Sequence, residues 1–340
     1  MNQTLHHTGA MLLGAGLSFV AVLPALGQLT PDRTYYGISR PVPMRVVVPS
    51  GKDEAAARVE LFLPNADKPH ASAAVVPGGV DIAALFPDLW TNAEPRLVYA
   101  QLVVGEERIG APVVLQPLTP PATALNTFEP NKPPQPIKWN AGQGRYSGIR
   151  AYVDQQVVFE TDLGAITFQL RPDEAPNTAW NFRSLVAGGF YTDIEFHRII
   201  GPTGQRPGFM AQVGDPTGTG SGGPGYVIDL EPSKLPHAMG VLSMARTGDP
   251  NTNGSQVFIC FSREGTQFLD GKYCAFAQAV DGVETLTKLQ AVPVADNGQG
   301  EISRPTSSVK LKSARLVDAP AFGAAQRQAI TPPATGAAPR

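Results

Sequence analysis

The chain has 340 residues, a formal net charge of -2 and 16% charged residues, so no basic surplus points to nucleic acid or an acidic membrane surface. Its length suits about two domains. The 33 prolines and 35 glycines beside a 42% hydrophobic fraction describe a β-rich globular protein with linker segments between folded parts.

Residues 1–27 read as an export signal. Met11 to Leu23 is an apolar run too short to span a membrane, and Ala25-Leu26-Gly27 supplies the small-x-small pattern of a cleavage site. Met1 to Gly9 carries His6 and His7 but no Lys or Arg, which leaves an uncleaved anchor as the alternative. No cysteine follows the run, which argues against lipidation. Export implies a periplasmic or extracellular protein. An oxidising compartment would permit a bridge between Cys260 and Cys274, although two buried free thiols are the simpler reading.

Residues 28–118 alternate short apolar runs with Pro, Gly and Asn. Met44 to Val48, Val59 to Leu63, Ala73 to Val76, Arg96 to Val104 and Ile109 to Leu115 have strand length, and Gly105-Glu106-Glu107 reads as a hairpin turn. The spacing fits a small antiparallel β-sandwich of immunoglobulin-like type. Val80 to Phe86 fits either a strand or a short helix ended by Pro87. No catalytic constellation occurs here, and a spacer or a protein-binding module is expected.

Residues 119–150, with Pro120-Pro121, Pro130, Pro133-Pro134 and Pro136 and glycines at Gly142 and Gly144, read as a semi-extended linker. Trp139 and Tyr146 suggest that part of it packs on a neighbour.

Residues 151–322 form a second unit. Val157 to Thr161 and Ala165 to Leu170 make a β-hairpin across Asp162-Leu163-Gly164. A helix starts near Pro176 and stops at Gly188-Gly189. Buried strands follow at Val241 to Ala245, Val257 to Phe261 and Ala275 to Ala279, then a short helix at Val283 to Leu289 and a closing strand at Ser308 to Val317. Strands, then a helix, without βαβ alternation argue against a parallel nucleotide-binding sheet. Gly218 to Gly223 contains G-x-G-x-x-G, but Pro224-Gly225 stands where a dinucleotide site needs a helix N-terminus, so it reads as a loop. Residues 323–340 are Ala-, Pro- and Gln-rich and read as a disordered tail.

The five histidines, His6, His7, His70, His197 and His237, show no ligand spacing, so no metal is expected. Gly254-Ser255-Gln256 is not a nucleophile elbow. One permanent cation, two glutamines and many large apolar side chains suit a site that twists a bound group rather than one that cleaves it.

The motifs carrying this pattern are Phe196-His197-Arg198, Pro207-Gly208-Phe209-Met210-Ala211-Gln212, Ser243-Met244-Ala245, Asn251 to Phe258, and Phe268-Leu269-Asp270-Gly271-Lys272-Tyr273. In this order they resemble the cyclophilin-type peptidyl-prolyl cis-trans isomerases of bacterial type, over about Val157 to Val317. The resemblance implies a mainly β fold: an eight-stranded antiparallel barrel closed by two helices, with a proline-binding groove outside. It implies a catalytic set of Arg198, Phe209, Gln256 and Phe258. Met210, Gln212, Ala245, Arg246, Thr247, Phe268, Leu269 and Tyr273 would bind substrate, the main chain at Ala245 to Thr247 pairing with it. It also implies no cofactor and, as partners, proline-containing segments of folding proteins. Rotation about X-Pro must break amide resonance against a barrier of about 18–20 kcal/mol, and a fixed fork of donors such as Arg198 suits the twisted amide.

Some positions depart from the family pattern. Phe268 stands for Trp and Tyr273 for His, which keeps aromatic walls and bears on cyclosporin sensitivity. Arg246-Thr247 replaces Asn-Ala, Asp249 is inserted, and Gly201 to Arg206 separates Ile200 from Pro207. If that insertion loops out, Arg198 and Phe209 keep their places; if it shifts register, they do not. A non-catalytic peptide-binding or chaperone module using the same groove is the rival reading, and a structural envelope protein a third.

Overall fold

The computed structural model describes residues 27–126, 129, 136–142 and 144–331; the apolar leader and residues 332–340 lie outside the described residues. The amino-terminal strands form two antiparallel sheets. Six strands pair in the order Tyr35–Gly37, Gly148–Val153, Glu107–Pro117, Val98–Val104, Ala57–Phe62, Ala71–Ala74, and three in the order Gln28–Pro31, Pro43–Val47, Gly78–Asp81. They face each other across one core: Leu29, Met44 and Val46 from the small sheet meet Val59, Leu61, Leu102, Val113 and Ile149 from the large one.

The large sheet is covered on its other face too. There Phe62, Tyr99, Val114 and Tyr152 pack with Phe322 from the far end of the chain. This explains why Val98–Val104 is buried along its whole length, since a strand covered on both sides reads as a continuous apolar run. Val80 to Phe86 divides into the end of strand Gly78–Asp81 and one helical turn, Ile82–Leu85, capped by the Asp81 carboxylate accepting from Ala83 N.

Three of the expected boundaries differ. Gly148–Val153 is not linker or barrel but a strand of the first body, paired with both Glu107–Pro117 and Tyr35–Gly37. Arg150 hides it from a pattern reading: the side chain is buried, its guanidinium 5.5 Å from the Tyr35 ring and 4.7 Å from that of Trp180. The Pro-rich stretch is more than a tether. Thr123–Leu125 pairs with Lys138–Asn140, Ala124 is buried in the barrel core, and its carbonyl accepts from Asn251 Nδ2 at 2.8 Å. Residues 323–331 are packed rather than a free tail, with Arg327 ion-paired to buried Asp154 and Ile330 against the barrel core.

The second body is one sheet of nine strands in the order Thr192–Glu195, Lys310–Asp318, Gln155–Thr161, Gly164–Leu170, Ala275–Asp281, Val241–Met244, Val257–Cys260, Met210–Val213, Arg198–Ile200. Its first and last strands are two halves of a single segment, separated only by Phe196 and His197. The sheet therefore closes on itself, as the eight-stranded antiparallel barrel the resemblance implies. Helix Pro176–Ala187 buries Phe182 and Val186 in the barrel core, and helix Val283–Gln290 buries Leu286 and Leu289 there. Gly282, which precedes the second helix, has φ +100°, and a Cβ on it would stand 2.7 Å from the Ala165 carbonyl oxygen; only glycine fits. Cys260 and Cys274 are both free and buried, in separate apolar clusters.

The insertion after Ile200 loops out. Thr203 and Arg206 exchange backbone hydrogen bonds of 3.1 and 3.0 Å around a tight turn, while Phe209 N still donates to Ile200 O at 2.9 Å. Arg198 stays opposite Gln212 and Ile200 opposite Met210. Deleting Gly201 to Arg206 would leave Ile200-Pro207-Gly208-Phe209, which has Pro and Gly at the central positions that a type II turn prefers. The deletion is expected to keep the prolyl isomerisation that the resemblance implies within about twofold of the parent, a surface change of small energetic effect. A tetrapeptide exchange assay checks it.

Candidate active site

Alternation along the barrel strands sorts side chains to two sides. Val257, Ile259, Ala211 and Val213 point into the core, whereas Phe258, Cys260 and Met210 join a second apolar cluster with Leu269, Leu235, Val241 and Ala275. Phe209, Ala245 and Tyr273 pack against this outer cluster. Register aligns the polar members with it: Arg198 stands opposite Gln212, Gln212 opposite Phe258, and Phe258 opposite Ser243. At about 4.8 Å per strand, the backbones at Arg198 and Phe258 lie about 10 Å apart. Gln212 lies between them.

A chain of hydrogen bonds runs along this row. Arg198 Nη1 faces Gln212 Oε1 at 3.4 Å, Gln212 Nε2 donates to Gln256 Oε1 at 2.8 Å, and Gln256 Nε2 donates to the carbonyls of Gly220 and Gly222, each at 2.9 Å. The Gly-rich loop is thus a wall of the site and not a phosphate cradle. Asp215 folds it by accepting from Thr217 N at 2.7 Å and Gly220 N at 2.6 Å. Burial pushes this carboxyl's pKa up, but those hydrogen bonds and one from Gly222 N outweigh it and hold the group well below the usual range. A cleft of about 1000 Å³ opens beside the row, lined by His197, Arg198, Gln212, Arg246 and Glu301 among others.

Aromatic walls surround the apolar end. Phe268 is 56% exposed and stacks on Phe209 with centroids 5.6 Å apart. Tyr273 meets Phe258 edge-on at 5.9 Å and carries the Arg246 guanidinium 4.4 Å above its ring. Arg246 also donates to the carbonyls of Thr247 and Lys272 at 2.8 and 2.9 Å. The main chain at Ala245 to Thr247 only partly suits the pairing the resemblance implies. Ala245 N–H is spent on Gln256 O and Thr247 N–H on Thr252 Oγ1, which leaves Arg246 as the one of the three whose N–H has no partner among the described residues.

Beneath Phe258 lies a group that motif reading missed. His237 stacks on the Phe258 ring at 6.1 Å; its Nε2 is 3.0 Å from Ser243 Oγ and its Nδ1 3.0 Å from Asp270 Oδ1. These are triad distances, yet Ser243 is 0% exposed, so no substrate carbonyl can reach its hydroxyl. The group is a floor. Burial lowers the His237 pKa, against the pull of Asp270, and so keeps the imidazole neutral. Asp270 drops to about 2: burial raises it, but hydrogen bonds from Arg263 and His237 prevail. Among the described residues no cluster of His, Cys, Asp and Glu could hold a metal.

Residues 156–316 match the family model described as cyclophilin type peptidyl-prolyl cis-trans isomerase/CLD. A peptidyl-prolyl cis-trans isomerase of Synechococcus elongatus is 48% identical over 126 residues, 37% of this chain and 81% of that protein. The peptidyl-prolyl cis-trans isomerase-like 1 protein of Aspergillus fumigatus is 39% identical over 167 residues, 48% of this chain and 95% of that one. The crystal structure of a Cryptosporidium parvum cyclophilin type peptidyl-prolyl cis-trans isomerase in the presence of the dipeptide Ala-Pro aligns with TM-score 0.43 and 36% identity, covering 48% of this chain and 99% of that one. With relatives this similar matched over most of their length, the chain belongs to the cyclophilin-type peptidyl-prolyl cis-trans isomerases.

Proposed function

We propose that this isomerase is exported and speeds X-Pro rotation in proteins folding outside the cytoplasm, with Arg198 stabilising the twisted amide. The observation that carries the assignment of Arg198 is the strand register that sets it, Gln212 and Phe258 side by side on the outer face. In this reading Phe209, Met210, Phe258 and Leu269 grip the proline ring, with Phe268 and Tyr273 as walls. Gln212 and Gln256 hold the peptide backbone, and the main chain at Arg246 pairs with it as an added strand. No cofactor is required, since no bond is made or cut. The apolar run from Met11 to Leu23 with Ala25-Leu26-Gly27 after it supports export.

The first body would then recruit a protein partner. An apolar hollow of about 360 Å³, lined by Leu61, Leu63, Phe86, Leu89 and Tyr146, supports that role. A non-catalytic peptide-binding module is the second reading, favoured by the engagement of the Arg198 fork with a carboxylate of the chain itself, Glu301. Binding and exchange of a proline tetrapeptide, measured together on the full chain, separate the two. Accelerated exchange is expected; binding without acceleration would establish the non-catalytic module. Fractionation with amino-terminal sequencing tests export: an envelope or extracellular location is expected, and recovery of the whole chain in the cytoplasm would overturn it.

A further inference from the structure

Arg198 meets a carboxylate that comes from outside the barrel. Glu301 belongs to a hairpin, Val294–Asp296 paired with Ile302–Pro305, that stands between the second helix and the closing strand. The hairpin tip is built by its own sequence. Asp296 Oδ1 accepts from Gly298 N at 2.6 Å, Asn297 Oδ1 accepts from Gln299 N at 2.9 Å, and Gly298 and Gly300 take φ +87° and +84°. Asn297 N donates to Glu301 O at 2.9 Å. Glu301 is therefore placed by a pre-folded turn.

Its carboxylate takes the side edge of the guanidinium. Arg198 Nε donates to Oε2 at 2.7 Å and Nη2 to Oε1 at 2.6 Å. The other edge, through Nη1, faces Gln212 and the row that leads to Phe258. An unpaired arginine on a long flexible stem samples many rotamers. A bidentate carboxylate removes that freedom while adding geometric specificity. The arrangement does little for stability, because the two side chains are 34% and 37% exposed and ion pairs at that exposure contribute little. The hydrogen bonds from Arg198 hold the Glu301 carboxyl below its ordinary range, so it is an anion at neutral pH.

We propose that Glu301 is a positioning residue, clamping the Nε/Nη2 edge of Arg198 so that the Nη1 edge is aimed at the prolyl bond. The proposal rests on the role given to Arg198 above. Preorganised donors matter when they meet the transition state without reorganising, so loss of the clamp falls on kcat more than on KM. A carboxylate that merely occupied the arginine until peptide displaced it would have the opposite effect, and its removal would raise activity.

The test uses the full chain with E301Q, E301D and R198A, a proline tetrapeptide, and NMR exchange to separate kcat from KM. E301Q is expected to lower kcat about tenfold with KM within about twofold, and E301D, which keeps the charge, to recover part of the loss. The Arg198 Nε–H signal, protected from water exchange in the parent, is expected to exchange fast in E301Q at unchanged melting temperature. E301Q activity equal to or above the parent, or a change in KM alone, overturns the role of Glu301 when R198A is inactive. An active R198A overturns the role of Arg198 instead.

Discussion

Arg198→Ala is expected to lower kcat/KM for prolyl isomerisation by about 10²–10³-fold, the effect typical of removing one preorganised donor from a site. At the top of a barrier of about 18–20 kcal/mol the imide has lost its resonance, and its nitrogen has regained a lone pair that can accept a hydrogen bond. Arg198 is the group on the outer row that can donate one. Ser243 is fully buried, His237 is kept neutral beneath Phe258, and burial likewise lowers the pKa of His197. Gln212 and Gln256 are neutral amides, weaker donors than a guanidinium, and hold each other and the Gly-rich loop in place. Stability should barely move, because the side chain is 34% exposed and its ion pair is of the weak surface kind. A protease-coupled assay beside a thermal melt reads both quantities. Activity within about threefold of the parent, less than 1 kcal/mol of barrier, would remove Arg198 from the mechanism.

Much of the barrel was legible because its signal is local. Val257 to Phe261 and Val241 to Ala245 are short, nearly continuous apolar runs, which read as buried strands without knowledge of the partner strand. Arg198, Gln212, Gln256 and Phe258 could be picked out together because their motifs stand in the order of the family the sequence resembles, and the strand register then sets Arg198, Gln212 and Phe258 side by side. Glu301 could not, since it lies 103 residues from Arg198 in a Gly-, Asn- and Gln-rich stretch that reads as an ordinary loop. His237 and Asp270, 33 residues apart, likewise meet only once the barrel is closed. The errors at the boundaries have a common cause in composition. A buried arginine interrupts the apolar pattern of Gly148–Val153, and an Ala- and Gln-rich segment carries one aromatic, Phe322, that decides its packing.

That segment supports the second large effect. Arg327→Ala is expected to destabilise the folded chain by about 3–5 kcal/mol, the range for breaking a buried pair from one side. Asp154 sits between the last strand of the first body and the first strand of the barrel. It is 1% exposed, and it accepts from Arg327 at 2.7 Å and from Gln169 Nε2 at 3.1 Å. The Arg327 guanidinium also lies 5.3 Å from the Tyr99 ring and 5.4 Å from Phe322, which stacks on Phe62 at 4.8 Å. Burial already raises the Asp154 pKa, with Arg327 as the strongest opposing influence. Without the arginine the folded-state value rises further above the unfolded one, so the folded form binds a proton that the unfolded form releases. The destabilisation is then smallest at acid pH and grows as pH rises through the folded pKa. Denaturant unfolding at about pH 5 and about pH 8 should show the deficit of R327A widening at the higher value. A double variant, Asp154→Asn with Arg327→Met, should be more stable than R327A at the higher pH, because no charge is left buried alone. If R327A unfolds within about 1 kcal/mol of the parent at both values, the carboxy-terminal segment rests on the two bodies without holding them.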